Sequence, residues 1–209
     1  MCASETPPPR RLLEVQDMET LPLTSKPSKM SLAEFYALSE GPPYYEFEAG
    51  ELIEMNRPTP RHQRVLSELI AELTLYLRQN RLGRVYPEVN VEFFASIVYT
   101  PDLVFYTSEN VRTLDENIPL TQPPTLVVEI LSSSTAWRDM TRKLKMYCEA
   151  GVAWYWLIDP DELTVIEYHL AESGRYEVTA CVETGQVFCP GVFEGLEIDL
   201  AALMGENRS

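Results

Sequence analysis

The central segment of the sequence is Pro124-Thr-Leu-Val-Val-Glu-Ile-Leu-Ser-Ser-Ser-Thr135. Its apolar run is too continuous for a strand with one face in water, so it predicts a strand that is covered on both faces. Glu129 lies in the middle of this run. Because an unpaired buried carboxylate costs several kcal/mol, we expect Glu129 to be protonated, paired with a cation or bound to a metal. Glu129 is therefore the pivot of a hypothetical metal site.

The residues after this stretch predict a strand, helix, strand unit. A helix is expected over 137–150, because Ser134 or Thr135 can cap its start and Gly151 suits its end. The apolar and aromatic segment 153–158 then predicts a second buried strand. The central strand therefore has a helix and another strand as its next neighbours along the chain.

The remainder of the chain predicts one long helix and several extended segments. Apolar residues recur at helical spacing over 60–80, and Gly83 suits the end of that helix. The capping-box spacing of Ser31 and Glu34 predicts a short helix over 32–39. Extended segments are predicted at 44–48 and 51–55 as a hairpin, at 85–94 and 97–106 as an antiparallel pair, and at 163–170, 176–182 and 186–188, with a short apolar segment at 200–204.

Length and composition predict a single domain. The chain has 209 residues, of which 45% are hydrophobic, and this is enough for one sizeable core. We assign residues 1–29, which lack a usable period, to a flexible leader, residues 30–204 to the domain and residues 205–209 to a tail. No window reaches the roughly 18 consecutive apolar residues of a membrane span, and the start of the chain lacks a signal-peptide core. A cytoplasmic location is the expectation.

Charge and cysteine content weigh against some classes of function. The formal net charge of -15 repels a polyanion at long range, which argues against a protein that simply coats DNA. The charge does not exclude a metal-dependent nuclease, because a magnesium site uses acidic ligands. The four cysteines lack the spacing of a zinc site and are expected to be free thiols: Cys2, Cys148, Cys181 and Cys189.

Three residues carry the candidate chemistry, namely Asp102, Glu129 and Lys143. Two carboxylates on adjacent strands can hold a hard dication such as Mg²⁺, with the carbonyl of Ile130 and waters completing the shell. The metal would acidify a water molecule and offset charge on a phosphodiester, while Lys143 would orient the nucleophile or stabilise the transition state. These residues together predict metal-assisted phosphodiester hydrolysis.

Each of these residues also has a purely structural interpretation. Asp102 stands at a strand start, where it can serve local structure, and Glu129 can belong to a buried ion pair. The expected buried stripe of the following helix consists of Trp137, Met140, Leu144, Tyr147 and Cys148. Lys143 lies at the border of that stripe, where it either reaches the strand end or forms an i, i+4 surface pair with Asp139. The sequence leaves these alternatives open.

Three further residues are candidates for a supporting role: Glu46, His62 and Asp139. Glu46 lies on a strand of the predicted hairpin and would add a third carboxylate. His62 lies on the apolar face of the 60–80 helix, where a packed histidine is the commoner case. We assign the aromatic segment Trp154-Tyr-Trp156 to the core, with its polar groups finding partners, and exclude it from the site.

Many of these residues, taken in order, resemble a known family. They are Tyr45-Glu46, Gly50-Glu-Leu52, His62, Pro101-Asp102, Leu126-Val-Val-Glu-Ile-Leu-Ser132, Ser134-Thr135, Asp139, Lys143, Tyr147, Gly151-Val152 and Tyr155-Trp-Leu-Ile-Asp-Pro160. This set, spread over residues 31 to about 170, resembles the Uma-type (Uma-two) restriction endonucleases of the PD-(D/E)xK nuclease superfamily. The ordered set is far more specific than any one of its parts.

The resemblance implies an α/β fold of α+β-like type, a restriction-endonuclease-like core in which a mixed central β-sheet is flanked by helices. It also implies hydrolysis of DNA with Mg²⁺, or Mn²⁺, as cofactor. Position by position, Asp102 becomes the motif aspartate, Glu129 the second metal carboxylate and Lys143 the lysine. The chain has Leu131 where the superfamily pattern carries a lysine, so a lysine from the following helix is the expected replacement.

Two hypotheses follow for the function. The first is a magnesium-dependent endonuclease acting on DNA, with Asp102, Glu129 and the Ile130 carbonyl as ligands; a homodimer would suit double-strand cleavage. The second keeps the fold but makes the protein a non-catalytic interaction module, in which Asp102, Glu129 and Lys143 form a buried ion-pair network. The acidic charge and the missing motif lysine favour the second, whereas a buried Glu129 within the ordered pattern favours the first.

Overall fold

The computed structural model of the protein describes residues 29–38, 41–132 and 136–206. The predicted flexible leader, apart from Lys29, lies outside the described residues, and so do the capping candidates Ser134 and Thr135. Within the described ranges, none of the helices combines the length and the apolar character needed to cross a bilayer.

The described residues form short and long helices around two β-sheets. The helices are α1 Leu32–Tyr36, α2 Pro60–Asn80, α3 Ser108–Val111, α4 Ala136–Arg138, α5 Leu144–Glu149 and α6 Leu200–Leu203, and a π-helical turn, Asp139–Lys143, joins α4 to α5. The strands are β1 Tyr45–Glu48, β2 Glu51–Glu54, β3 Gly83–Pro87, β4 Val91–Phe93, β5 Ile97–Tyr99, β6 Leu103–Thr107, β7 Leu126–Ile130, β8 Trp154–Asp159, β9 Thr164–Leu170 and β10 Tyr176–Val182.

The larger sheet has six strands in the order β10-β9-β8-β7-β6-β3. Strands β7 and β8 are parallel and are joined through the 136–149 helix, whereas the other neighbours pair antiparallel. Every residue of β7 is buried, as its continuous apolar run predicts. The mixed central sheet with flanking helices is therefore confirmed.

The two faces of β7 look into two different cores. Leu126, Val128 and Ile130 share one core with the buried face of α2, while Val127 shares the other with Met146 and Tyr147 of α5. Side chains alternate between the faces of a strand. The alternation directs Glu129, like Val127, towards the 136–149 helix.

The smaller sheet has four strands in the order β2-β1-β5-β4, all antiparallel. It includes the predicted hairpin, and α1 packs on it through Phe35, whose ring stacks on that of Phe47. The capping box that predicts α1 is present, with Ser31 and Glu34 bonded reciprocally. The helix ends at Tyr36, three residues before its predicted end.

The antiparallel pair predicted for 85–94 and 97–106 is confirmed, but the pair divides between the sheets. Strand β3 pairs with β6 in the larger sheet, and β4 pairs with β5 in the smaller one. The division falls where Glu88 has a left-handed backbone (φ 47°) and where Pro101 provides no N–H group for a ladder. Asp102 stands at this division, directly before β6.

Helix α2 has the predicted bounds, but Gly83 does not end it. Arg81 adopts the left-handed conformation (φ 56°) and its N–H group donates to the carbonyl of Leu77, which closes the helix. Gly83 is instead the first residue of β3. A Cβ atom at that position would come within 2.0 Å of the Tyr106 carbonyl oxygen, so the glycine permits a close strand pairing.

The predicted buried stripe of the 136–149 helix is wrong in its first half. Trp137 is 76% exposed and Met140 48% exposed, while Asp139 and Lys143 are buried. The cause is the π-helical turn, whose wider spacing shifts the phase of the inward face relative to 3.6 residues per turn. The predicted glycine end is confirmed: the N–H group of Gly151 donates to the carbonyl of Cys148, and that of Val152 donates to the carbonyl of Tyr147.

The remaining predictions for the C-terminal third are confirmed except one. The segments predicted at 163–170 and 176–182 form strands β9 and β10, which pair antiparallel. Residues 186–188, by contrast, form no regular strand and contribute a single bridge between Phe188 and Ile198. Phe188 fills the core from this irregular segment. The three described cysteines, Cys148, Cys181 and Cys189, are free thiols as expected.

The two faces of α2 give a test of the core. Leu73 is fully buried between the helix and the sheet, so Leu73→Ala is expected to lower the free energy of unfolding by about 2 to 5 kcal/mol. Leu75 is 55% exposed in the same helix, so Leu75→Ala is expected to change it by less than about 0.5 kcal/mol. Urea unfolding measures both, and equal losses would contradict the orientation of α2.

Candidate metal and catalytic site

Asp102 and Glu129 are neighbours across strands β6 and β7. The register that pairs Leu103 with Val128 brings Asp102 opposite Glu129, one position beyond the ladder. Asp102 Oδ2 accepts a 2.6 Å hydrogen bond from the backbone N–H of Ile130, so its carboxylate lies against the end of β7. The structure therefore brings the two predicted carboxylate residues and Ile130 together where β6 begins and β7 ends.

His62 contacts Asp102 from the first turn of α2. Its Nε2 atom lies 3.3 Å from Asp102 Oδ1, and the helix begins there because Thr59 accepts a hydrogen bond from the His62 backbone. Burial opposes a charged imidazole, but the hydrogen bond and the charge of Asp102 outweigh burial and raise the pKa of His62 above its usual 6.5. His62 is thus a buried histidine that also touches the candidate site.

Lys143 is buried at the centre of a cluster of carboxylates. Its Nζ atom lies 2.8 Å from Glu129 Oε1, 3.0 Å from Glu46 Oε1 and 3.5 Å from Asp139 Oδ1. The surface-pair interpretation of Lys143 and Asp139 is therefore wrong, because the π-helical turn carries both residues inward. Burial disfavours the ammonium charge, but Glu129, Glu46 and Asp139 outweigh it and raise the pKa of Lys143 above its usual 10.5.

Glu46 connects the smaller sheet to the 136–149 helix. Besides Lys143, its carboxylate contacts the guanidinium of Arg138 and accepts a 3.1 Å hydrogen bond from the backbone of Thr100. Burial favours the neutral carboxyl group, but the charges of Lys143 and Arg138 and these hydrogen bonds together lower the pKa of Glu46 below its usual 4.5. The predicted supporting residue is thus part of the cluster.

Sequence reasoning missed Arg138 and its second partner, Glu48. Arg138 Nη2 lies 2.7 Å from Glu48 Oε1, and Arg142 Nη1 lies 3.1 Å from Glu48 Oε2. A signal was available, because Glu46 and Glu48 are two residues apart on one strand and share a face. Two carboxylates on one buried strand face need more than one cation.

Tyr147 is the other contact that the sequence did not reveal. Its hydroxyl donates a 2.6 Å hydrogen bond to Glu129 Oε1, the same oxygen that Lys143 contacts. Asp139, Lys143 and Tyr147 follow each other at intervals of four, which puts them on one side of the helix. Of the aromatic segment assigned to the core, Tyr155 and Trp156 are fully buried and find polar partners, as expected.

The donors around Glu129 fit a hard cation in their chemistry. Burial raises the pKa of Glu129 above its usual 4.5; Lys143 opposes this rise, and the charges of Asp139, Asp102 and Glu46 add to it. Three further carboxylates thus act on a carboxylate that is only 4% exposed. Within residues 29–38, 41–132 and 136–206, no three His, Cys, Asp or Glu side chains converge to hold a metal. A cation here would draw on Asp102, Glu129 and a backbone carbonyl.

The lowered pKa of Glu46 gives a pH-dependent prediction. A carboxylate whose pKa is lower when folded stabilises the fold fully above its ordinary pKa of 4.5 and loses that contribution as the pH falls from 4.5 through the lower pKa of the folded state. Glu46→Gln is therefore expected to cost about 3 kcal/mol or more at pH 7, because it leaves buried cations short of a partner, and much less at pH 3. Urea unfolding at both pH values tests this, with Glu51→Gln on the exposed strand of the same hairpin as control. An equal cost at both pH values would contradict it.

Comparisons with known proteins bear on the fold and the family. The structure is similar to the crystal structure of a putative nuclease belonging to DUF820 from Anabaena variabilis, with a TM-score of 0.69, 24% sequence identity, and coverage of 85% of this chain and 98% of that chain. This likeness shows a shared nuclease-like fold. No match was found among curated proteins.

The family model Uma2, described as putative restriction endonuclease, matches residues 32–201. Because the match spans most of the chain, the protein belongs to the Uma2 family.

Proposed function

We propose that the protein is a metal-dependent endonuclease that hydrolyses phosphodiester bonds of DNA with Mg²⁺, or Mn²⁺, as cofactor. Membership in the Uma2 family supports a nuclease function in general. The single observation that carries the finer proposal is the placement around the end of β7, where Asp102 lies opposite Glu129 and bonds to the Ile130 backbone while Lys143 contacts Glu129. These three residues supply the chemistry that the reaction requires.

The proposed cation site consists of Asp102, Glu129 and the Ile130 carbonyl. Mg²⁺ commonly uses only one or two protein carboxylates and completes its shell with water and substrate phosphate, so two carboxylates are sufficient. When bound, the cation would polarise the phosphate and lower the pKa of a water molecule. The protein's own contribution is to hold both carboxylates at adjacent positions of paired strands, with Asp102 fixed by the backbone of Ile130 and by His62.

Lys143 takes the place of the lysine that the superfamily motif carries two residues after the glutamate. Leu131 occupies that motif position, but Lys143 reaches Glu129 from the helix that follows. Because the pKa of Lys143 is raised, its side chain stays cationic at neutral pH and cannot act as a general base. Its role in the proposed mechanism is to orient the nucleophile or to stabilise charge on the phosphate in the transition state.

The acidic net charge affects how the protein binds DNA, its proposed substrate. At -15 the protein repels DNA at long range, so binding draws on local cations and on the metal rather than on a general basic surface. Glu129 and its neighbours repel phosphate until a dication offsets them. DNA binding is therefore expected to depend on the metal.

A second candidate function is a non-catalytic interaction module with the same fold. The observation in its favour is the ion-pair cluster of Lys143 with Glu46, Glu129 and Asp139, which is complete without a metal. The module hypothesis requires Asp102 to join the ion-pair network of Glu129 and Lys143. Asp102 instead contacts His62 and the backbone of Ile130. Metal binding and cleavage separate the two candidates.

Metal binding is the first test. The protein is expected to bind Mg²⁺ or Mn²⁺ with a micromolar to millimolar dissociation constant, and Glu129→Gln is expected to weaken binding by roughly ten-fold or more, since it removes a charged ligand. Titration calorimetry, with and without a short DNA duplex, measures this. Glu167→Gln is the matched control, because Glu167 is equally buried but bonds to Trp156 and Gly191. Absence of binding in the wild type under both conditions would favour the interaction module.

Cleavage of DNA is the second test. Lys143→Met is expected to lower the rate by about 10²- to 10³-fold, because it removes a fixed charge that stabilises the transition state. Lys145→Met is the matched control, since Lys145 is exposed and pairs only with Glu149 among the described residues. Asp102→Ala is expected to abolish cleavage. Melting curves check that each variant is folded, and cleavage that survives Asp102→Ala would refute the proposed mechanism.

A further inference from the structure

We propose that Tyr147 is a positioning residue, which fixes the Glu129 carboxylate in the orientation that binds the cation. This inference rests on the proposed function. Tyr147 does not touch the proposed reacting atoms and acts through Glu129. It adds a determinant of metal affinity from the second half of the 136–149 helix, which the sequence pattern assigns to the core.

The contact between the two side chains is short and enclosed. The Tyr147 hydroxyl donates to Glu129 Oε1 at 2.6 Å, and Lys143 Nζ lies 2.8 Å from the same oxygen. Hydrogen bonds from O–H to a carboxylate at this distance are strong. Tyr147 is fully buried, so water does not compete for the bond.

The ring of Tyr147 is held in its position by other aromatic rings. Its centroid lies 5.4 Å from that of Phe93, 6.0 Å from Tyr99 and 5.1 Å from Tyr155. Tyr155 also donates a 3.1 Å hydrogen bond to the carbonyl of Asp139, at the start of the π-helical turn. This aromatic packing therefore holds the Tyr147 hydroxyl in one position, so the hydroxyl does not move with the Glu129 carboxylate when that group rotates.

The terminal torsion of glutamate explains why a second hydrogen bond to the carboxylate is important. Rotation about χ3 is broad, so a glutamate held at a single point samples many orientations. Two donors, Tyr147 and Lys143, approach Oε1 from residues four apart on one helix and restrict that rotation. The carboxylate so held would bind the cation together with Asp102. Without the tyrosine hydroxyl, the Glu129 carboxylate would become ordered only when the cation binds. The entropy cost of that ordering would lower the affinity for the cation.

The chain contains a matched control for this contact. Tyr99 donates a hydrogen bond of the same length, 2.6 Å, to Oε1 of Glu48, and it is as deeply buried as Tyr147. Glu48 pairs with Arg138 and Arg142 and is not a proposed ligand. Tyr99→Phe and Tyr147→Phe each remove one hydroxyl from one buried carboxylate, and both keep the ring. A purely structural role predicts similar effects of the two substitutions.

The experiment compares Mn²⁺ binding by calorimetry and the Mg²⁺ concentration that half-saturates DNA cleavage. Tyr147→Phe is expected to weaken both by about 10- to 100-fold, as is typical when a group that orients a metal ligand is removed. Tyr99→Phe is expected to stay within about two-fold of the wild type. Saturating Mg²⁺ should restore most of the cleavage rate of Tyr147→Phe, whereas Glu129→Gln should not recover. Melting temperatures of both tyrosine variants report the structural cost separately.

Three outcomes would overturn the inference. Metal affinity of Tyr147→Phe equal to that of the wild type would show that the hydroxyl does not position Glu129. Equal losses in Tyr147→Phe and Tyr99→Phe would show a general effect of buried hydroxyl groups. A wild-type protein that neither binds Mn²⁺ nor cleaves DNA with Mg²⁺ would remove the proposed function itself, a result that is distinct from the first two because it appears before any substitution is made.

Discussion

The structure depends on the burial of one carboxylate, Glu129, in a strand that is covered on both faces. A charge in that setting is destabilising unless donors surround it, and here Lys143 and Tyr147 both reach its Oε1 atom. Lys143 in turn needs further acidic partners, which come from Glu46 and Asp139. The requirement to compensate one buried charge thus extends from the central strand to a helix and on to the second sheet.

The π-helical turn is the local device that makes this arrangement fit. A regular α-helix in the phase of its apolar residues would bury Trp137 and Met140 and leave Lys143 at the border. The wider turn exposes Trp137 and Met140 and carries Asp139 and Lys143 inward. Exposing two large apolar side chains costs hydrophobic free energy, which the enclosed ion pairs with Glu129 help to offset. Irregular helical turns of this kind are frequent at functional sites.

The sequence predicts the regular parts of the fold better than the contacts of the candidate site. The bounds of α2 and the burial of β7 follow from hydrophobic period and continuity, which are local properties. Which residues of the 136–149 helix face inward does not follow from local properties. The advantage of burying Lys143 depends on Glu46, a residue distant in sequence. The end of α2 at Arg81 rather than at Gly83 is a similar case, because the close pairing of β3 with β6 requires a glycine at position 83.

The two sheets meet through ion pairs as well as through chain connections, and this has a consequence for the order of folding. Glu129 and Lys143 are 14 positions apart, whereas Arg138 and Glu46 are 92 apart. Closing the longer loop costs more chain entropy, so the strand, helix, strand unit is expected to form before the smaller sheet docks on it. Until docking, Lys143 and Arg138 lack Glu46. The electrostatic balance around Glu129 is thus a late property of the folding chain, completed by its N-terminal third.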